Sequence, residues 1–340
     1  MIPEFAPQSG MMITWPHAAS DWRDRLDDIE PVYLEIACLS SRYEPVLVIC
    51  YDEKHVHRVT SLLDLAGAAM HAIRCIVVRT DDTWVRDYGP LSVSGNHRPQ
   101  LLDFTFDGWG GKYEATRDNQ VSRVLYDAGV FKMPELIRPS LVLEGGSIET
   151  DGLGTLLTTT RCLLQSGRNP GMDKGTLETY LHGCLGIERT LWLDHGVLSG
   201  DDTDGHVDML ARFCTPTDIA YLQCTDADDE HCDELGAMEC QLRDFTSYDG
   251  NPYTLHPLPM PQPVYSDKGE RLPASYANFL IINHAVLVPV YNDPADKQAL
   301  DVLRRCFSDR EVLAINCLPL LQQYGSLHCA ALQLPEGVLL

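Results

Sequence analysis

Polar stretches flanked by glycine, proline or asparagine recur along this chain around Trp15, Asp87, Glu144, His206, Asn278 and Cys329, at separations of 51 to 72 residues. A period of that length holds one supersecondary unit of about three strands and a helix. Five such units arranged radially would bring one polar strand end from each to a common axis. No other feature narrows the fold as much.

The local signals agree with such a unit. Short apolar or alternating runs read as strands at 11–15, 45–52, 73–79, 141–149, 154–159, 189–193, 219–224, 279–291, 311–317 and 327–334. Helical patterns lie between them at 28–43, 54–68 and 293–307, the last opened by Asp293 and Pro294. The chain is therefore expected to be α/β, a single domain over 1–340 with no Pro/Ser-rich linker dividing it. The acidic segment 224–244 reads as a solvated helix or loop face.

Composition excludes several partner classes. With 49 Asp and Glu against 26 Lys and Arg, the net charge of -23 repels nucleic acid and anionic membrane surfaces and draws in cations. No apolar run is long enough to span a membrane, and the N-terminus carries no evident secretory signal, so a cytoplasmic location is expected. The 12 cysteines are scattered singly with no CxxC, which argues against zinc ribbons and a dense disulfide framework. Most should be small buried hydrophobes.

Four stretches carry chemistry. In DDTWVRDYGP (81–90), Asp87 precedes a Tyr-Gly-Pro turn; it is either an anionic site group or the partner of Arg86 in a structural ion pair. In LEGGSIETDGLGT (143–155), Glu144 ends an apolar run against two glycines, where backbone can approach a ligand closely, and TDGLG reads as a hairpin turn. An exposed bulge is the alternative for Glu144. GDDTDGHVDMLARF (200–213) puts His206 and Asp208 two residues apart, on one face if extended. That pair could ligate a metal, shuttle protons beside an anchoring carboxylate, or belong to an acidic surface loop. YGSLHCAALQLP (324–335) offers Cys329 as a nucleophile or as another buried thiol. A thiol, an imidazole and several carboxylates together suit nucleophilic attack on a planar cation, since a guanidinium pairs bidentately with carboxylates.

Together with EFAPQSGMMITWPH, FTFDGWGGKY, CLLQSGRNP and YANFLIINHAVLVPVYND, these stretches make the chain resemble the agmatine deiminase family over nearly its whole length. That family shares the guanidine-modifying superfamily with the Porphyromonas-type peptidylarginine deiminases. The resemblance implies a five-bladed α/β propeller, the pentein fold. It makes Cys329 the nucleophile and His206 the proton shuttle, with Glu144 orienting His206 and Asp87 and Asp208 gripping the guanidinium. Trp84 and Trp109 would line the substrate channel, and Asn278 would be structural. It implies hydrolysis of agmatine to N-carbamoylputrescine and ammonia, in putrescine biosynthesis, through an amidino thioether on Cys329. No metal and no organic cofactor is required. Self-association into a homo-oligomer stays open.

Two positions depart from the family pattern, QYGSLHC where GGGNIHC is common and GHVDM where GHVDN is common. They leave the five catalytic side chains intact and bear on the identity of the substrate. Peptidyl-arginine or another guanidine is the nearest alternative. A non-catalytic guanidine or polyamine binder and a metal hydrolase built on His206 and Asp208 are the others.

Overall fold

The computed structural model describes residues 1–95, 99–132 and 135–339. Four three-stranded sheets repeat one design. A short antiparallel pair is followed by a helical crossover into a strand parallel to the pair's second member, because parallel neighbours cannot be joined by a tight turn. Strands Leu91–Ser94, Pro99–Leu102 and Leu136–Ile137 form one unit, with helix Val121–Asp127 in the crossover. Ile148–Thr150, Thr155–Thr159 and Arg189–Leu193 form the next, with Lys174–Leu185. Ala211–Thr215, Asp218–Gln223 and Thr254–Pro259 follow with Cys232–Asp244, then Leu280–Ile282, Ala285–Val290 and Glu311–Asn316 with Asp296–Cys306.

The remaining unit is closed by both ends of the chain. Ala331–Pro335 pairs antiparallel with Gln8–Thr14, which runs parallel to Val46–Cys50, itself parallel to Ile73–Val77. Helices Leu26–Ser40 and Glu53–Leu65 make its crossovers. Five units result, as the sequence spacing predicts.

Local chemistry explains these elements. Val46–Cys50 is buried at every position, as a continuous apolar strand covered on both faces should be, and Thr155–Thr159 and Ala331–Pro335 are buried throughout as well. Helix Asp296–Cys306 buries Ala299, Val302 and Leu303, one stripe at helical spacing. Asp52 and Asp173 cap their helices by accepting from the amides of His55 and Thr176 at 2.8 Å. Gly186 ends its helix with φ 64°, a conformation that suits glycine.

Several expectations need correction. The run 141–149 is not one strand, since strand geometry begins only at Ile148, after a 3₁₀ turn over Gly145–Ser147. The run 279–291 is a hairpin turning at Asn283 and His284, the latter at φ 63°. Helix Asp296–Cys306 starts beyond Asp293, which instead accepts from the Ala295 amide at 2.7 Å. In the acidic segment, Leu235, Met238 and Leu242 are buried rather than solvated, so its helix packs by an apolar stripe. Trp15 falls out of phase with the other landmarks because it follows the second strand of its unit.

Candidate active site

The remaining landmarks share one structural position. Asp87, Glu144, His206, Asp208, Asn278 and Cys329 all lie within five residues before the first strand of a unit. First strands of neighbouring units meet near the centre, as Ile148–Thr150 does with Ala211–Thr215 and Leu280–Ile282 with Ala331–Pro335. The turns that feed them therefore converge, although 242 residues separate Asp87 from Cys329.

None of these side chains is delivered by strand alternation. Asp87 sits in a single helical turn, Val85–Tyr88, and Asp208 in a 3₁₀ turn, Val207–Met209, so His206 and Asp208 converge through a tight turn and not through an extended segment. Cys329 precedes its strand. Arg86 does not pair with Asp87; it bonds Glu4 at 2.8 Å, which removes the structural ion pair considered for that turn.

Gly146 organises the centre. Its amide donates to Asp87 Oδ1 at 2.9 Å. A methyl group built on its Cα would lie 2.7 Å from His206 Nδ1, 2.8 Å from Asp87 Oδ1 and 3.0 Å from Asp208 Oδ2. Imidazole and both acids thus face one small space. Trp109 fixes the other Asp87 oxygen, donating from Nε1 to Oδ2 at 2.9 Å. It does so from a loop in which Gly108, Trp109, Gly110 and Gly111 all have positive φ, so the glycines flanking Trp109 are conformationally required.

His206 is completely buried, with Nδ1 3.7 Å from Asp87 and Nε2 3.9 Å from Glu144. Those separations are too long for direct hydrogen bonds, and both ring nitrogens lack a partner. Burial opposes the charged ring, but Asp87, Cys162 and Glu144 outweigh it and raise its pKa well above the ordinary histidine value. Glu144 is anchored from behind by Arg168 Nε at 2.8 and 2.9 Å. It is buried rather than an exposed bulge, and its carboxyl stays below the usual range because His206 and Arg168 overcome the burial.

Cys329 Sγ lies 3.7 Å from Asp208 Oδ2 and 3.4 Å from Asn278 Nδ2. Burial, then Asp208 and Asp87, push its thiol well above the ordinary cysteine value. The same burial pushes Asp87 up against the pull of His206, whereas His328, His206 and Arg212 bring Asp208 down. Burial and the two carboxylates thus favour the neutral thiol at Cys329.

Trp84, Asp87, Trp109, His206 and Cys329 line a pocket whose outer wall adds Asp21, Asp82, Asp201, Asp202, Tyr113 and Tyr324. Glu144 and Asp208 are completely buried and are not among the lining residues. Burial raises Asp82 to about 7 and Asp202 to about 6. Among the described residues, the lining contains no Lys or Arg.

Asn278, which the resemblance makes structural, has its Nδ2 3.4 Å from Cys329 Sγ and its Oδ1 accepting from the His328 amide at 2.8 Å. The shared spacing had included it. Sequence reasoning passed over Arg168 and Cys162, both inside the quoted CLLQSGRNP run; Cys162 is the buried second thiol beside His206 and Glu144. The ligand atoms of those three lie close enough together to hold a metal ion, with Arg168 hydrogen-bonded to Glu144 from behind.

Five α/β units ringed about converging polar turns, with a thiol, an imidazole and carboxylates at the centre, define a pentein. The chain belongs to the Porphyromonas-type peptidyl-arginine deiminase family, whose model matches residues 1–335. The agmatine deiminase of Stutzerimonas stutzeri is 32% identical over 98% of this chain and 95% of its own. The structure of C. jejuni agmatine deiminase with substrate bound superposes with a TM-score of 0.91 at 34% identity, covering 99% of this chain and 96% of that one. A Porphyromonas gingivalis structure provisionally named an arginine deiminase gives 0.94 at 45% identity, covering 100% and 99%.

Proposed function

We propose that this chain is a hydrolase of linear amidines that converts agmatine to N-carbamoylputrescine and ammonia, acting as one catalytic domain. A buried thiol 3.7 Å from a carboxylate, in a pocket walled by acids, is the observation that carries the reading. Anions in that number would oppose a reaction that builds negative charge, and they favour a substrate that is a cation throughout.

Asp87 and Asp208 clasp the guanidinium beside Cys329. The arriving cation lowers the cost of the thiolate, and the thiol proton leaves to solvent. Sulfur attacks the central carbon, and the charged His206 gives its proton to the departing amine, so ammonia leaves and a cationic amidino thioether stays between the carboxylates. Neutral His206 then takes a proton from water, whose oxygen adds to the same carbon. The thiolate is expelled and the proton on the new oxygen goes to solvent. The product's ureido end is neutral, so the carboxylates that held the substrate no longer retain it.

Asp82 and Asp202 at the outer wall suit agmatine's distal ammonium, while free arginine would place its carboxylate among acids with no lining cation to receive it. Trp84 and Trp109 flank the methylene chain. Ammonia release from agmatine, free arginine and an arginine peptide tests this directly. Agmatine should be preferred to free arginine by at least about a hundredfold in kcat/KM; equal rates, or turnover of the peptide alone, overturn it.

A further inference from the structure

Beneath the site lies a buried ionic cluster that the reaction scheme does not use. Glu4, from the N-terminal segment, places one carboxylate on four donors: His328 Nε2 and Arg86 Nη1 each at 2.8 Å, Gln333 Nε2 at 3.0 Å, and Arg212 Nη2. Arg212 also bonds Glu149. His328 is only 1% exposed, and its other nitrogen, Nδ1, lies 2.8 Å from Asp208 Oδ2.

A carboxylate at each ring nitrogen decides the state of His328. Both contacts are hydrogen bonds only if both nitrogens donate, since a neutral ring would turn a lone pair toward one of the anions. The charge count agrees. Glu4, Glu149 and Asp208 supply three negative charges, and Arg86, Arg212 and a doubly protonated His328 supply three positive ones.

Asp208 shows what this does. Oδ2 is held by His328, while Oδ1 is fully buried with no hydrogen-bond partner. An unpaired carboxylate oxygen at such depth is costly, and a ligand N–H is what it lacks. We propose that Glu4, acting through His328, is a positioning residue that fixes the orientation of Asp208 and leaves Oδ1 as the acceptor for a guanidinium N–H. The N-terminal segment is thereby a working part of the site. The inference rests on the reading that Asp208 grips a guanidinium.

The test uses two alkylating agents on Cys329. Chloroacetamidine is a cation that needs the carboxylate grip, and iodoacetamide is neutral and does not. Wild-type protein should favour chloroacetamidine strongly, and Asp208→Asn should lose that preference; if either fails, the guanidinium reading itself falls. Glu4→Gln should lower the preference ratio, and kcat/KM for agmatine, by about tenfold or more while iodoacetamide reacts at the wild-type rate. A role in fold stability alone would lower the melting temperature and leave the ratio unchanged, which overturns the proposal. Should Glu4→Gln not fold, His328→Gln breaks the same link from its other end. An unchanged ratio there is equally fatal.

Discussion

At the scale of single residues, the site is defined as much by what is missing as by what is present. Gly146 has room for a hydrogen and nothing larger, since a methyl there would press on His206, Asp87 and Asp208 together. Gly146→Ala should therefore cut kcat/KM for agmatine by about a hundredfold or more, from a shift of an ångström or so in the acids, with a smaller effect on melting temperature. Steady-state kinetics beside thermal denaturation separates the two effects. The protonation states also carry a sign that can be checked. Because burial and two carboxylates hold Cys329 as a thiol, raising the pH through neutrality favours the thiolate, while the raised pKa of His206 keeps the ring a proton donor over the same range. The kcat/KM for agmatine should climb as the pH rises through neutrality before falling as His206 loses its proton. Asp208→Asn removes one of the anions that raise the thiol, so iodoacetamide should label Cys329 faster at pH 7 in that variant although turnover is lost. A flat pH profile, or slower labelling, would contradict this electrostatic account.

At the scale of elements, strands give the site its frame and the turns before them give it its chemistry. This division explains what could be read from the residues. Apolar runs such as Val46–Cys50 announce themselves by composition, whereas Asp87 and Asp208 sit in turns of three or four residues whose conformation is settled by neighbours. The run 141–149 looked like one strand because Leu141, Val142 and Leu143 are apolar, yet it stops for the 3₁₀ turn that lets Gly146 face the acids. Arg168 shows the same limit. Nothing local marks it as the partner of Glu144, and it lies in a loop 24 residues further on. Removing it should expose that dependence. Arg168→Met leaves Glu144 buried and uncompensated, and urea denaturation should show a loss of about 3–5 kcal/mol, with activity falling as Glu144 loses its anchor. Stability within about 1 kcal/mol of wild type would mean that Glu144 is held by other contacts.

For the whole molecule, the fold is a closed ring whose last strand completes the first sheet, and its field is strongly negative. A net charge of -23 and an acid-walled pocket should steer dicationic agmatine inward. Raising ionic strength from about 0.01 to about 0.15 M shortens the screening length from about 30 to about 8 Å, so kcat/KM for agmatine should fall severalfold. Alkylation of Cys329 by neutral iodoacetamide should not change. An equal response of both reactions would point to a conformational effect of salt instead. The residues by themselves determined the α/β class, the period of the repeat and the strongly negative charge, because apolar patterning, glycine turns and charge are local or additive properties. Only the tertiary structure decided that Asn278 reaches Cys329, that Arg168 and Cys162 attend Glu144 and His206, and that Glu4 reaches His328 from the opposite end of the chain. Those contacts depend on the closure of the ring, which brings together turns hundreds of residues apart, and side chains meeting across such distances leave no periodic trace in the sequence that encodes them.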